Sequence, residues 1–152
     1  MKIIKALGSG VAGAISLTLL HQLLKKVHPD APRVDQLGMQ AIAKGLDQLG
    51  INPPREHTLF KSSLAGDLLF NSIYYSFTAA GKIPLLSASL LGLGAGVGAV
   101  ALPGPMGLDE RFTARNASTK ALAIGIYLFG GLAAAAIYKL LSTEDSEAVS
   151  RN

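Results

Sequence analysis

The sequence predicts an all-α fold: an integral membrane bundle of four transmembrane helices with one short amphipathic loop helix. Charged residues make up 16% of the 152 residues and apolar residues 49%, whereas an ordinary soluble domain has roughly 25% charged residues. Four long stretches carry almost no charge, and lysines stand at most of their ends. Glycine is abundant, with 17 residues, which favours helices whose backbones approach closely in lipid.

The predicted spans cover residues 4–25, 62–81, 84–103 and 119–141, and a polar tail follows over 143–152. Each span has close to the roughly 20 residues that a helix needs to cross about 30 Å of hydrocarbon. We expect the first to be retained rather than removed as a signal sequence, because no small-residue cleavage site precedes a polar start. Gly81–Pro84 is short and turn-forming, so spans two and three are predicted to form a tight antiparallel hairpin.

An amphipathic helix is predicted over residues 31–49, in the polar segment between spans one and two. Its apolar positions recur at helical spacing: Val34, Leu37, Ala41, Leu46 and Leu49. Asp30 is expected to cap its start and Gly50 to end it. A helix tethered to membrane spans at both ends is expected at the interface or against the end of the bundle. Ser118 or Thr119 is expected to cap the fourth span.

The distribution of basic residues predicts the orientation in the membrane. Nine Lys and Arg residues lie in the segments after spans one and three, against five on the other side. Because cytoplasmic segments carry the excess of Lys and Arg, the long loop 25–61 is expected in the cytoplasm and both termini outside. We expect the inner (plasma) membrane of a bacterium, with membrane lipids as the first partners of the chain.

Small residues line two of the predicted spans at helix-packing intervals. Those of interest are Gly92, Gly94, Gly96 and Gly98 in span three and Gly130 and Gly131 in span four. In span three they form two overlapping GxxxG pairs, which favour close helix crossing through van der Waals contact. Two interpretations remain open: packing within one bundle, or an interface with a second copy or another membrane protein.

A polar stripe on span two is the most informative chemistry in the sequence. Its residues share one side of a helix: Ser63, Asp67, Asn71, Tyr74, Tyr75 and Thr78. A carboxylate within a span is costly and normally faces protein or water. His21 and Lys120 are expected at the same side of the membrane and a similar depth, with His21 the preferred partner of Asp67. The group is predicted to be either a structural clasp or part of a transport path.

Other kinds of chemistry have little support. The chain has no Cys, and its His residues lack the i, i+4 pairing typical of a metal site. No catalytic motif, cofactor motif or nucleic-acid platform stands out, so no catalytic residue, metal or cofactor is assigned and an enzyme is not favoured. Two functions follow as hypotheses: a non-enzymatic assembly or accessory subunit, or a small oligomeric channel or transporter for an ion or small polar solute. A water-accessible cavity that reaches Asn71 would favour the second.

Overall fold

The computed structural model describes the backbone of residues 2–150 and the side chains of residues 2–143. All regular elements in this part of the chain are helices, which confirms the all-α prediction. They are α1 (Lys2–Val27), α2 (Val34–Gln48), α3 (Glu56–Ser76), a 3-10 turn (Phe77–Ala80), α4 (Pro84–Ala101), α5 (Arg111–Ala114) and α6 (Ala117–Ser150).

Three of the described helices are long and apolar enough to cross a membrane, not the four that the sequence predicted. They are α1, α4 and the Ala117–Thr143 part of α6. The predicted span that does not qualify is α3, which has 21 residues but carries Glu56, Lys61, Asp67 and several serines. The sequence prediction tolerated Asp67 because apolar residues surround it. The helix as a whole is nevertheless too polar to qualify by composition, and at Ser76 it gives way to the 3-10 turn.

The four long helices pack in the order α3, α1, α6 and α4. α6 packs against both α1 and α4, and α3 packs mainly against α1. The link between α3 and α4 is short, as predicted, but the expected tight hairpin does not follow. Only the 3-10 turn packs well against α4, whereas α3 itself scarcely meets it. The helices therefore diverge and leave a gap between α3 and α4.

Glycines explain the close approach of α4 to α6. A Cβ atom at Gly92 would lie 2.7 Å from the Cα of Leu128, and one at Gly96 would lie 2.7 Å from the Cα of Ile124. Neither distance leaves room for a side chain, so these two positions set the separation of the helices. On the other side of α4, Gly94 and Gly98 have no atom nearer than 3.5 Å to such a Cβ.

The two loop regions meet at one end of the bundle. The backbone N–H of Arg33 donates to the carbonyl of Phe112 over 2.7 Å, and Lys44 Nζ donates to the carbonyls of Met106 and Gly107. At the other end, Lys5 Nζ donates to the carbonyl of Leu141 near the end of the described side chains. The chain therefore returns along α3 from the loop end to the end that holds the start of α1.

Large apolar side chains cover the outside of the bundle. On α1 they recur every fourth residue, which gives one continuous stripe. α3 and α4 expose similar side chains, as would suit contact with lipid tails. The exposed residues include Leu7, Val11, Ile15, Leu19 and Leu23 on α1, Leu69, Phe70 and Ile73 on α3, and Leu86, Leu90 and Leu93 on α4.

The starts of two helices differ from the sequence prediction. α2 begins after Arg33 rather than at Asp30, because the Asp30 carboxylate accepts hydrogen bonds from Asn116 and Arg115 instead. The start of α6 is capped by Asn116, whose side-chain oxygen accepts from the backbone N–H of Thr119 over 2.8 Å. Ser118 and Thr119 were therefore the wrong residues for that cap. Gly50 follows α2 with a φ of 71°, as a helix-ending glycine does.

Candidate functional site

The gap between α3 and α4 holds a cavity of about 650 Å³, which we call the crevice. α2 lies across its loop end, and α1 and α6 form its back wall through residues such as His21 and Tyr127. Its volume falls within the roughly 300–1,000 Å³ typical of small-molecule sites. The crevice exists because α3 packs along α1 whereas α4 packs along α6, so that α3 and α4 diverge.

The mouth of the crevice is apolar. Phe70, Leu102 and Met106 line it and are also among the exposed large apolar side chains of the protein. Further apolar lining comes from Val34, Leu37, Ile42 and Leu64. An apolar mouth between two helices opens toward the side of the bundle, where lipid tails would lie.

A carboxylate and an amide of α3 face the crevice from one wall. Asn71 Nδ2 donates to Asp67 Oδ1 over 2.8 Å, and both residues line the cavity. This is an i, i+4 pair on a single helix, so the sequence expectation that Asp67 bonds to another helix through His21 is not met. His21 instead donates from Nε2 to the carbonyl of Pro32 over 2.9 Å.

A second polar group lies where α2 meets the end of α1. Lys25 Nζ donates to Asp35 Oδ2, and His21 Nε2 stands 3.9 Å from Asp35 Oδ1. Ser63 Oγ makes a long 3.4 Å bond to the Asp35 carbonyl, which joins α2 to α3. Asp35 was not singled out from the sequence as part of a polar group. The available signal was the proline-containing segment 28–33, which is short enough to fold α2 back onto α1.

The predicted polar stripe divides into two parts. Ser63, Asp67, Asn71 and Tyr74 line the crevice, whereas Tyr75 and Thr78 are fully buried within the bundle. Tyr75 donates from its hydroxyl to the carbonyl of Tyr127 over 2.7 Å. Its ring lies against Gly13 and Gly130, so it acts as a packing residue that joins three helices.

Tyr74 joins α3 to α4 at the deep end of the crevice. Its hydroxyl donates to the carbonyl of Leu91 on α4 over 3.1 Å, and its ring meets that of Tyr75 edge-on, with centroids 5.7 Å apart. Gly94 lies beside the Tyr74 hydroxyl. These contacts fix the point at which the two walls of the crevice converge.

Lys120 and four of the six predicted packing glycines fall outside the crevice. Lys120, which the sequence placed in the polar group, is exposed and does not line the cavity. Gly130 and Gly131 lie inside the bundle, where Gly130 faces Leu17 and Tyr75 and Gly131 faces Ala88 of α4. Among the glycines of α4, Gly94 and Gly98 line the crevice, whereas Gly92 and Gly96 do not.

Two buried polar atoms of the crevice wall lack a hydrogen-bond partner. They are Asp35 Oδ1 and Thr18 Oγ1. Buried polar groups are almost always hydrogen-bonded in native proteins. Both atoms are enclosed by protein and do not face the open cavity, although their residues line it.

No family model, curated protein or solved structure matches the chain. Among residues 2–143, no three His, Asp or Glu side chains come together as a metal site. The function is therefore argued from the crevice and the surfaces around it.

α2 is fastened to the loop end by polar contacts near its start and at its middle. Gln40 Oε1 accepts from the backbone N–H of Asp109 over 2.8 Å, and Lys25 bonds to Asp35 near the start of the helix. Asp109 is held in turn by Arg111, whose guanidinium keeps the pKa of that carboxyl below its usual value. These contacts hold α2 over the crevice in the orientation that lets Leu37 line it.

Proposed function

We propose that this protein is a small, non-enzymatic, multi-pass membrane protein that binds an amphiphilic molecule in the crevice. The observation that carries the proposal is the continuity of the cavity from an apolar mouth at Phe70, Leu102 and Met106 to the polar pair Asp67 and Asn71. An amphiphile matches that sequence of surfaces, with its chain at the mouth and its head at the pair.

The proposal includes a membrane crossing by α3. Its polar side would face the crevice and α2, while Leu69, Phe70 and Ile73 face outward as exposed apolar side chains. Such a helix is acceptable in lipid because its costly groups face protein or the cavity. The excess of basic residues would still place the 25–61 loop, and with it α2, on the cytoplasmic side.

The proposal is closer to the transporter hypothesis than to the accessory-subunit hypothesis. The cavity reaches Asn71, which is the feature that distinguishes the two. The small residues at Gly92, Gly96, Gly130 and Gly131 pack against other helices of the same chain, so they lend less support to an interface with a partner. Release of the bound molecule to another leaflet or protein would make the crevice a carrier site.

The test is a comparison of what purifies with three forms of the protein. Gly98 lines the crevice, and a Cβ there would meet only Leu102 Cδ1 within 4 Å, at 3.5 Å, so Gly98→Leu adds a large side chain to the crevice wall with no clash at its Cβ. Gly125 on α6 is exposed with nothing within 4 Å, so Gly125→Leu is the matched control.

We expect native mass spectrometry from mild detergent to show a bound amphiphile on the wild-type protein and on Gly125→Leu, and its loss from Gly98→Leu. Equal amphiphile content in all three forms would contradict the proposal. A protein partner that is retained by all three, without a bound amphiphile, would favour the accessory-subunit hypothesis instead.

A further inference from the structure

We propose that the amphiphile bound in the crevice carries a protonated amine as its head, and that Asp67 is the charge partner of that amine. This inference rests on the proposed function and specifies the class of its ligand. It is argued from the charges that line the crevice and from the partners those charges already have.

The charge balance of the crevice is negative. Among the described residues, no Lys or Arg lines the crevice, whereas Asp35 and Asp67 both line it. Asp35 is already balanced by Lys25, which bonds to its Oδ2 from α1. Asp67 has only the neutral amide of Asn71. A carboxylate in such a site is stabilised by a cation or gives up its charge.

The sign of the charge on the head follows from Asp67. An ammonium head has three donors and no acceptor, so it can pair with this carboxylate. A carboxylate or phosphate head would instead place a second negative group beside Asp67 in a largely apolar cavity.

The position of Asp67 fits a head rather than a free ion. The crevice that reaches it is largely apolar at the mouth, through Phe70, Leu102 and Met106. A small hydrated cation would gain nothing from those side chains, whereas an alkyl chain attached to the amine would gain from each apolar contact. The occupant is therefore a long-chain amine or an amine-headed lipid.

The tyrosines of the protein offer a direct readout. The chain has four Tyr and no Trp, and Tyr74 and Tyr127 line the crevice. A bromine atom near the end of an alkyl chain should quench their fluorescence on binding. We would titrate the protein, in nanodiscs of phosphatidylcholine, with brominated dodecylamine, dodecanol and dodecanoate. At neutral pH the amine is protonated, since free alkylamines resemble lysine.

The expected order on the wild-type protein is amine first, alcohol second and carboxylate last, with the amine roughly tenfold tighter than the alcohol, in line with a hydrogen bond to a charged group. Asp67→Asn keeps the shape and should reduce amine binding to the level of the alcohol. The control is Asp47→Asn, an exposed carboxylate at the far end of α2 outside the crevice, which should leave both affinities unchanged.

Failure of this inference is distinguishable from failure of the proposed function. Equal binding of amine and alcohol, unchanged by Asp67→Asn, would overturn the amine head and leave the amphiphile site in place. The same would follow if dodecanoate bound best. Quenching by none of the three probes, or quenching that Gly98→Leu leaves unaltered, would show that the crevice is not the binding site at all. The ranking of the probes on the wild-type protein decides the matter even if Asp67→Asn fails to fold.

Discussion

The two faces of α4 carry the same kind of residue and have opposite surroundings. Toward α6, a Cβ at Gly92 or Gly96 would lie 2.7 Å from a backbone Cα atom. Toward the crevice, Gly94 and Gly98 have nothing closer than 3.5 Å, and the nearest atoms are the Tyr74 hydroxyl and a Leu102 methyl. Glycine therefore brings two backbones together on one face and leaves space on the other. A GxxxG pattern marks a helix face without showing whether a partner fills it.

The largest expected effect comes from adding one methyl group to each face. Gly96→Ala should lower the free energy of unfolding by about 1–3 kcal/mol, because its Cβ would press on the α6 backbone at Ile124 and the helices must move apart. Gly98→Ala should change it by less than about 1 kcal/mol, since its Cβ would make only an ordinary van der Waals contact with Leu102 Cδ1 at 3.5 Å. Unfolding in sodium dodecyl sulfate, followed by circular dichroism, measures both.

The two variants are matched, because they sit two residues apart in one helix and change the same atoms. If Gly98→Ala destabilised the protein as much as Gly96→Ala does, the crevice would be filled by protein in solution. If neither had an effect, α4 and α6 would not pack as closely as the structure shows.

The sequence predicted the helices well and their arrangement only in part. The loop helix was expected over residues 31–49 and occurs at Val34–Gln48, because apolar spacing and Gly50 are local signals. The order in which the helices pack was not predictable, since small residues occur on α1, α4 and α6 alike and any two of those helices could pack together. Composition over the whole of α3, rather than the absence of charge around Asp67, would have shown that this helix does not qualify as a span by composition alone.

The packed interior and the open crevice can also be compared through two neighbouring tyrosines. Tyr75 is fully buried and its hydroxyl bonds to the Tyr127 carbonyl, whereas Tyr74 bonds to the Leu91 carbonyl at the edge of the crevice. Tyr75→Phe should cost about 1 kcal/mol, which is typical of a hydrogen bond between membrane helices. Tyr74→Phe should cost less, because the crevice can supply water to the freed carbonyl.

The measurement is the same unfolding titration, with tyrosine fluorescence as a second signal. A larger loss for Tyr74→Phe than for Tyr75→Phe would mean that the deep end of the crevice, rather than the slot beside Gly13 and Gly130, holds α3 in place. That result would reverse the assignment of the two tyrosines.

Half of the candidate site was predictable for a reason that these tyrosines illustrate. Helical spacing groups Asp67, Asn71, Tyr74 and Tyr75 on one side of α3, and that grouping is local. Which of them meet a cavity depends on the divergence of α3 from α4, which no local pattern encodes. Asp35 and Thr18 entered the site only through tertiary contacts. The Asp67–His21 pair does not form, since His21 donates to the Pro32 carbonyl and Asp67 accepts from Asn71 on its own helix.

The smallest expected effect concerns Asp30 at the loop end of the bundle. The hydrogen bond from Asn116 and the nearby Arg115 lower the pKa of Asp30 from its usual 3.8. A carboxyl whose pKa is lowered by folding stabilises the protein above its unfolded-state pKa, and that stabilisation is lost as the pH falls through the folded-state pKa. The wild-type protein should therefore melt at a higher temperature than Asp30→Asn at neutral pH, and the difference should shrink as the pH falls through the folded-state pKa of Asp30, which lies below 3.8. Because Asp30 is solvent-exposed, the shift should be small and should shrink further in high salt. A difference in melting temperature that stayed constant from neutral to acid pH would show that Asp30 acts through its shape and not through its charge.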